Sequence, residues 1–132
     1  MINNYFIILA SGQSKRINSK KPKQFITYKN KALFEHSLHK ATSSKFFKKI
    51  ILVVSDKKQI KKKYPKNVLI IKGGKERSDS SLIALKYIKK FSPLNVLIHD
   101  AARPNFSISL LKKLINSLRT NKAAVPVISD CQ

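Results

Sequence analysis

Cysteine, glycine, acidic residues and long apolar runs are all scarce in this chain, and each scarcity removes possibilities. Cys131 is the only cysteine, so no intrachain disulfide can form and a reducing compartment is expected. With 3 glycines, the sequence holds neither G-x-x-x-x-G-K-[ST] nor G-x-G-x-x-G, which sets aside both the P-loop and the dinucleotide fingerprint. The apolar run at residues 5–10 falls far short of the roughly 18 residues that suggest a membrane span. Nothing resembles a signal peptide, so a cytoplasmic protein with no membrane partner is expected. Acidic residues number 6 against 28 Lys and Arg, for a formal net charge of +22. A field of that size attracts polyanions and phosphorylated small molecules. Lysine-rich runs such as Lys57-Lys58-Gln59-Ile60-Lys61-Lys62-Lys63 lack interleaved aromatics, however, and Asn and Ile are abundant too. A compositional bias that coats the surface with lysine accounts for the same charge.

What is present fits one α/β domain. Hydrophobic residues make up 42% of the 132, enough for a core. Apolar runs at 5–10, 49–54, 67–71, 94–99 and 123–127 lack clean alternation, as expected of strands covered on both faces. Between them, Phe34, Leu38 and Ala41 share a helical face. So do Ala84, Tyr87, Ile88 and Phe91, and Leu111, Leu114, Ile115 and Leu118. Residues 56–63 read as a short basic helix ending near Pro65. Strand–helix alternation of this kind implies a mainly parallel sheet with right-handed crossovers and flanking helices. Ligands of such sheets bind at the carboxyl ends of the strands, so the loops there carry the chemistry.

Three loops stand out. After the first strand come Ala10, Ser11 and Gly12, small enough to let backbone N–H groups approach phosphate oxygens. Arg16 and, after Pro22, Lys23 add positive charge suited to a phosphate chain whose charge redistributes during reaction. The third strand leads into Gly73-Gly74-Lys75-Glu76-Arg77-Ser78-Asp79-Ser80. Paired glycines permit a tight turn against a flat ligand; Ser80 can meet the ligand or cap the following helix, and Asp79 can equally be the cap. The fourth strand ends in His99-Asp100-Ala101-Ala102-Arg103-Pro104. Asp100 is placed to hold Mg²⁺, a hard cation that prefers oxygen ligands and substrate phosphates. Arg103 can grip a phosphate as a planar fork. His36 and His39 share a helix without any carboxylate or cysteine to complete a metal site, and read as surface residues.

Taken together, Ala10-Ser11-Gly12-Gln13-Ser14-Lys15-Arg16, Pro22-Lys23-Gln24-Phe25 and the two later loops resemble the 2-C-methyl-D-erythritol 4-phosphate cytidylyltransferases. The likeness spans residues 5–127, and Ala102 tilts it away from the ribitol-5-phosphate cytidylyltransferases, where a valine is expected. The resemblance implies a Rossmann-like, three-layer fold of the nucleotide-diphospho-sugar-transferase type, with residues 1–132 as the N-terminal part of a single, truncated domain. It also implies transfer of CMP from CTP to methylerythritol phosphate with release of pyrophosphate. In the residues it implies, Arg16 and Lys23 stabilise the pentavalent transition state. Ala10, Ser11, Gly12, Gly74, Lys75 and Ser80 surround CTP, with the 74–80 portion reading cytosine. Ala101 lies near the ribose, Arg103 on the methylerythritol phosphate side, and Asp100 helps hold Mg²⁺. The parent protein is expected to be a homodimer. Departures from the family pattern are Ser14 where a glycine is usual, Ser11 where an alanine or a glycine is common, Lys75 where an acid is common, and the 126–131 segment, offset by one. The alternatives are the ribitol-5-phosphate enzyme, an inactive CTP-binding domain, and a basic nucleic-acid-binding module, the last disfavoured by the absence of a stacking motif.

Overall fold

The central strand of the sheet is its first, β1 (Asn4–Ala10), and every one of its residues is buried. In this computed structural model, residues 3–11, 27–103 and 105–119 are described. Along the chain follow β2 (Thr27–Tyr28), β3 (Lys31–Ala32), α1 (Leu33–Ser44), β4 (Lys49–Val54), β5 (Val68–Lys72), α2 (Arg77–Ile88), β6 (Asn95–Asp100) and α3 (Ile108–Ser117). The main sheet has the order β5-β4-β1-β6, and each neighbouring pair is parallel.

Because side chains alternate along a strand, β1 serves two cores at once. Phe6, Ile8 and Ala10 face one layer, where Phe34, Leu38 and Ala41 of α1 pack with Leu111 and Ile115 of α3. Tyr5, Ile7 and Leu9 face the other, against Ala84 and Ile88 of α2. The two-sided covering is why the strands read as continuous apolar runs. Each fully buried aliphatic contributes about 1.5–3 kcal/mol. The polar Asn4 is tolerated in this interior because its amide is paired: Nδ2 donates to the Phe46 carbonyl (3.3 Å) and Oδ1 accepts from Asn95 Nδ2 (2.8 Å).

Strand order reverses at β1. The chain crosses outward by α1 to β4, and returns from β5 by α2 to β6 on β1's other side. That makes the carboxyl ends of β1 and β6 the switch point of the sheet, the place where open parallel sheets bind ligands.

Three strand expectations shift by one residue, to Asn4–Ala10, Val68–Lys72 and Asn95–Asp100, and the run at 49–54 keeps its bounds. The strand expected at 123–127 lies outside the described residues. The basic helix expected at 56–63 does not form. Only a 3₁₀ turn, Lys57–Gln59, is present, with Asp56 accepting from the Lys58 N–H at 2.9 Å. Two forces stop it there: like charges crowd along the lysine run, and Tyr64, preceding Pro65, is biased toward extended backbone. The short β2–β3 hairpin was not anticipated. Its two-residue turn holds Lys29 and Asn30 at φ 50° and 67°, a pair of left-handed residues that matches strand twist.

Glu35 fastens the start of α1. Its Oε1 accepts from the Ala32 N–H (3.2 Å), and its Oε2 accepts from Lys62 (3.1 Å) and the Tyr64 hydroxyl (3.4 Å). Burial pushes the carboxyl up, but the hydrogen bonds and the Lys62 charge outweigh it and leave the group below its ordinary 4.5. Burial and the Glu35 charge push Tyr64 up to about 12. A depressed carboxylate contributes stability above the unfolded-state value that is lost as pH falls through the folded one. Denaturant titrations should therefore show stability declining below about pH 4.5 more steeply in the wild type than in Glu35→Gln. Parallel acid profiles would refute the clasp.

Candidate nucleotide site at the carboxyl edge of the sheet

Ser11, the first residue past β1, and Ser80, in the first turn of α2, are both buried, and their hydroxyls share a hydrogen bond of 2.5 Å. The Ser80 oxygen also accepts from the Gly74 N–H at 3.1 Å. One side chain thus ties the ends of β1 and β5 to the N-terminus of α2. Gly73 explains how they come so close. A Cβ there would lie 2.5 Å from Ser80 Oγ, 2.7 Å from Val53 Cγ1 and 2.8 Å from Ser11 Oγ. The Gly73 N–H donates to the Val54 carbonyl at 2.8 Å, continuing the ladder into the loop. Neither capping candidate is the N-cap of α2, which is Glu76; Asp79 takes the N3 place of a capping box, its Oδ2 accepting from the Glu76 N–H at 3.3 Å. Ser80 is left to the junction. Lys75 is exposed beside it.

On the other side of β1, the Ala101 N–H donates to the Leu9 carbonyl at 3.0 Å, so the 100–103 loop is stitched to the end of β1. Ala101 is fully buried, which leaves that loop's exposed chemistry to Asp100 and Arg103. Asp100 Oδ1 accepts from the Ala102 N–H at 3.0 Å, an Asx-type turn that fixes the carboxylate. Among the described residues its Oδ2 has a long approach from Arg103 Nε, 3.9 Å, and the side chain is 41% exposed. A fixed carboxylate with one open oxygen fits a Mg²⁺ ion that takes its remaining ligands from phosphates and water. Among the described residues no group of three acidic, His or Cys side chains forms an all-protein cage. His36 is half-buried and His39 exposed on α1.

The sequence motif included His99 without giving it work. Its imidazole is stacked on Phe6 (centroids 6.0 Å apart) and meets the Phe106 ring edge-on at 4.5 Å. Burial lowers its pKa below the usual 6.5; a hydrogen bond with the Arg103 backbone and the Asp100 charge oppose this, and Lys40 and Arg77 add to it. The only sequence signal was position, since a histidine at the end of a buried strand has to find a partner inside the next loop.

The structure therefore brings Ala10, Ser11, Gly74, Lys75, Ser80, Asp100, Ala101 and Arg103 to one sheet edge. Gly12, Arg16 and Lys23 lie outside the described residues, as do Pro104, Asp130 and Cys131. No helix among the described residues is long and apolar enough to cross a membrane.

This order of strands, with helices on both faces and Gly-rich and acidic loops at the carboxyl edge, defines a Rossmann-like α/β domain of the nucleotidyltransferase type. Crystal structures agree. The 4-diphosphocytidyl-2C-methyl-D-erythritol synthase from Anaerococcus prevotii superimposes with a TM-score of 0.71 at 29% identity, covering 96% of this chain and 60% of its own. The bifunctional IspDF from Campylobacter jejuni does so at 0.70 and 33%, covering 87% of this chain and 30% of its own. A family model described as IspD, 2-C-methyl-D-erythritol 4-phosphate cytidylyltransferase, matches residues 5–130, and the chain belongs to that family. It is 52% identical over 129 residues to the bifunctional enzyme IspD/IspF of Pelagibacter ubique, spanning 96% of this chain and 35% of that protein. It is 35% identical to the 2-C-methyl-D-erythritol 4-phosphate cytidylyltransferase of Thermotoga neapolitana, of which it spans 59%.

Two substitutions test the junction. Gly73→Ala forces a methyl group between Ser11, Ser80 and Val53 and should cost about 1–3 kcal/mol in urea unfolding. Ser80→Ala leaves the Gly74 N–H without its acceptor and should cost about 1–3 kcal/mol. A Gly73→Ala variant as stable as wild type would show that the loops are not in contact.

Proposed function

We propose that this chain carries the CTP-binding part of an enzyme that joins CMP to 2-C-methyl-D-erythritol 4-phosphate. An oxygen of the acceptor phosphate attacks the α-phosphorus of CTP, the new P–O bond forms, the α–β bridging bond breaks, and pyrophosphate leaves. The observation that carries the reading is the joining of the 73–80 loop to the end of β1 through Ser11, Ser80 and Gly74, with the Asp100 carboxylate held one strand away. Family membership over residues 5–130 and the activity for which the relatives are named support it.

Each loop has a distinct task in this proposal. The 74–80 segment lies against the cytosine, with Gly74 and Lys75 meeting the base and Ser80 holding the segment in place. Ala10, Ser11 and Gly12 approach the phosphates through backbone groups, as small residues permit. Arg16 and Lys23 stabilise the charge that develops on the pentavalent phosphorus and the leaving pyrophosphate. Ala101 borders the ribose, and Arg103 faces the acceptor phosphate. Asp100 would hold a divalent cation, Mg²⁺ in this reading, which when bound neutralises phosphate charge and orients the triphosphate. The parent protein acts as a cytoplasmic homodimer in this proposal.

The test is pyrophosphate release by the full-length gene product. Turnover should require CTP, methylerythritol phosphate and Mg²⁺ together, and chelation should abolish it. Arg16→Ala and Lys23→Ala should each lower kcat by roughly 10²–10³-fold, with a smaller effect on KM, because both charges act mainly in the transition state. Equal turnover with ribitol 5-phosphate, or none with either acceptor, would contradict the proposal.

A further inference from the structure

A hollow opens at the amino edge of the sheet, at the end of β1 opposite the nucleotide site. Its volume is about 270 Å³, just under the roughly 300–1,000 Å³ usual for small-molecule pockets. Both α1 and α3 end beside it. The buried Asn4 and Ile115 form its floor, and Phe46 is a half-buried wall. Asn4 leaves no bare polar group there, because its amide already serves the Phe46 carbonyl and Asn95. Three exposed cations, Lys45, Lys112 and Arg119, stand around this floor. Among the described residues, no acid lines the hollow and no carboxylate forms a salt bridge with these three. The helix ends account for only part of the charge. Each C-terminus carries about half a unit of negative charge, so α1 and α3 offset roughly one cation and leave about two in excess. Lys45 adds a conformational sign. It holds φ 59° at the C-cap of α1, a left-handed backbone that glycine adopts without steric cost.

We propose that this hollow binds a phosphate monoester carrying a short apolar body. Such a head group bears about −1.5 to −2 charge at pH 7, which matches the excess of positive charge. Arg119 offers a planar fork for its oxygens, with Lys45 and Lys112 as point charges. The body lies against Phe46 and Ile115, and the methylene stems of the two lysines extend that apolar surface. The site is separate from the cytidylyltransferase reading and does not rest on it. A polyol phosphate fits it poorly, because Phe46 and Ile115 leave its hydroxyls without partners.

Four probes separate head group, body and bare charge. Backbone NMR of the labelled chain titrated with hexyl phosphate should move the amide signals of Asn4, Phe46, Ile115 and Asn116 together and to saturation. Hexanoate, with less charge, should bind roughly threefold more weakly or worse. Hexanol and inorganic phosphate should each bind at least about tenfold more weakly, since one lacks the head and the other the body. Lys112→Gln and Arg119→Gln change exposed side chains and leave the core intact. Each should weaken hexyl phosphate roughly tenfold and leave hexanol unaffected. CTP with Mg²⁺ should not displace the probe. Hexanol binding as tightly would reduce the hollow to an apolar gap, and inorganic phosphate binding as tightly would reduce it to surface charge. Hexanoate binding as tightly would remove the preference for phosphate. Any of these results overturns the inference, as does the lack of a saturable shift, displacement by CTP, or unchanged affinity in both variants. A full-length product without cytidylyl transfer would defeat the functional reading alone, since the titration still decides this site.

Discussion

The Ser80 hydroxyl is the contact on which the site depends. It sits where three segments end: β1 at Ser11, β5 at Gly73 and Gly74, and α2 at its first turn. A buried hydroxyl without partners would cost about 1–3 kcal/mol, whereas here it shares a hydrogen with Ser11 and accepts from Gly74. Satisfied, it specifies one arrangement of the loops. Gly73 is the steric condition for this arrangement. None of the described glycines has positive φ, so its value lies in the missing side chain rather than in backbone freedom.

The second half of the edge is organised by a different kind of force. The 100–103 loop is fixed by backbone bonds to Leu9 and Asp100, and by aromatic packing around His99. One side of the sheet edge is therefore held by a polar junction and the other by aromatic packing. Among the described residues, this edge offers the partly exposed Asp100 carboxylate and the exposed Arg103 guanidinium. That suits a ligand that supplies its own phosphate oxygens. The net charge of +22 has a reading short of nucleic-acid binding, since most of the lysines among the described residues sit on exposed surface.

Much of the fold was legible because β1 and β4 are covered on both sides, and such strands announce themselves as unbroken runs of Ile, Val and Leu, while the edge strands β5 and β6 are only partly buried yet keep the same apolar runs. The helical faces of α1, α2 and α3 were legible for the same reason: Leu38, Ala84 and Leu111 must meet that sheet. The helix expected at 56–63 does not form because charge repulsion and Pro65 act against it, although its lysines imitate a solvated helix face. The site was legible as residues but not as contacts. Gly74, Ser80 and Asp100 could be named from their loops, yet nothing in the order of residues shows that Ser80 meets Ser11, 69 positions away. The hydrogen bond from Lys40 Nζ to the Phe106 carbonyl is hidden likewise, since those residues are 66 apart and each is ordinary alone.

The most direct test is a titration of the isotopically labelled chain with CTP and Mg²⁺, followed by backbone NMR. Shift changes should concentrate at Ser11, Gly74, Lys75, Ser80 and Ala101 and should be weaker with ATP, because the 74–80 segment is assigned to the cytosine. Changes scattered over the lysine-rich surface, equal for CTP and ATP and abolished by moderate salt, would contradict a built nucleotide site and leave only charge attraction.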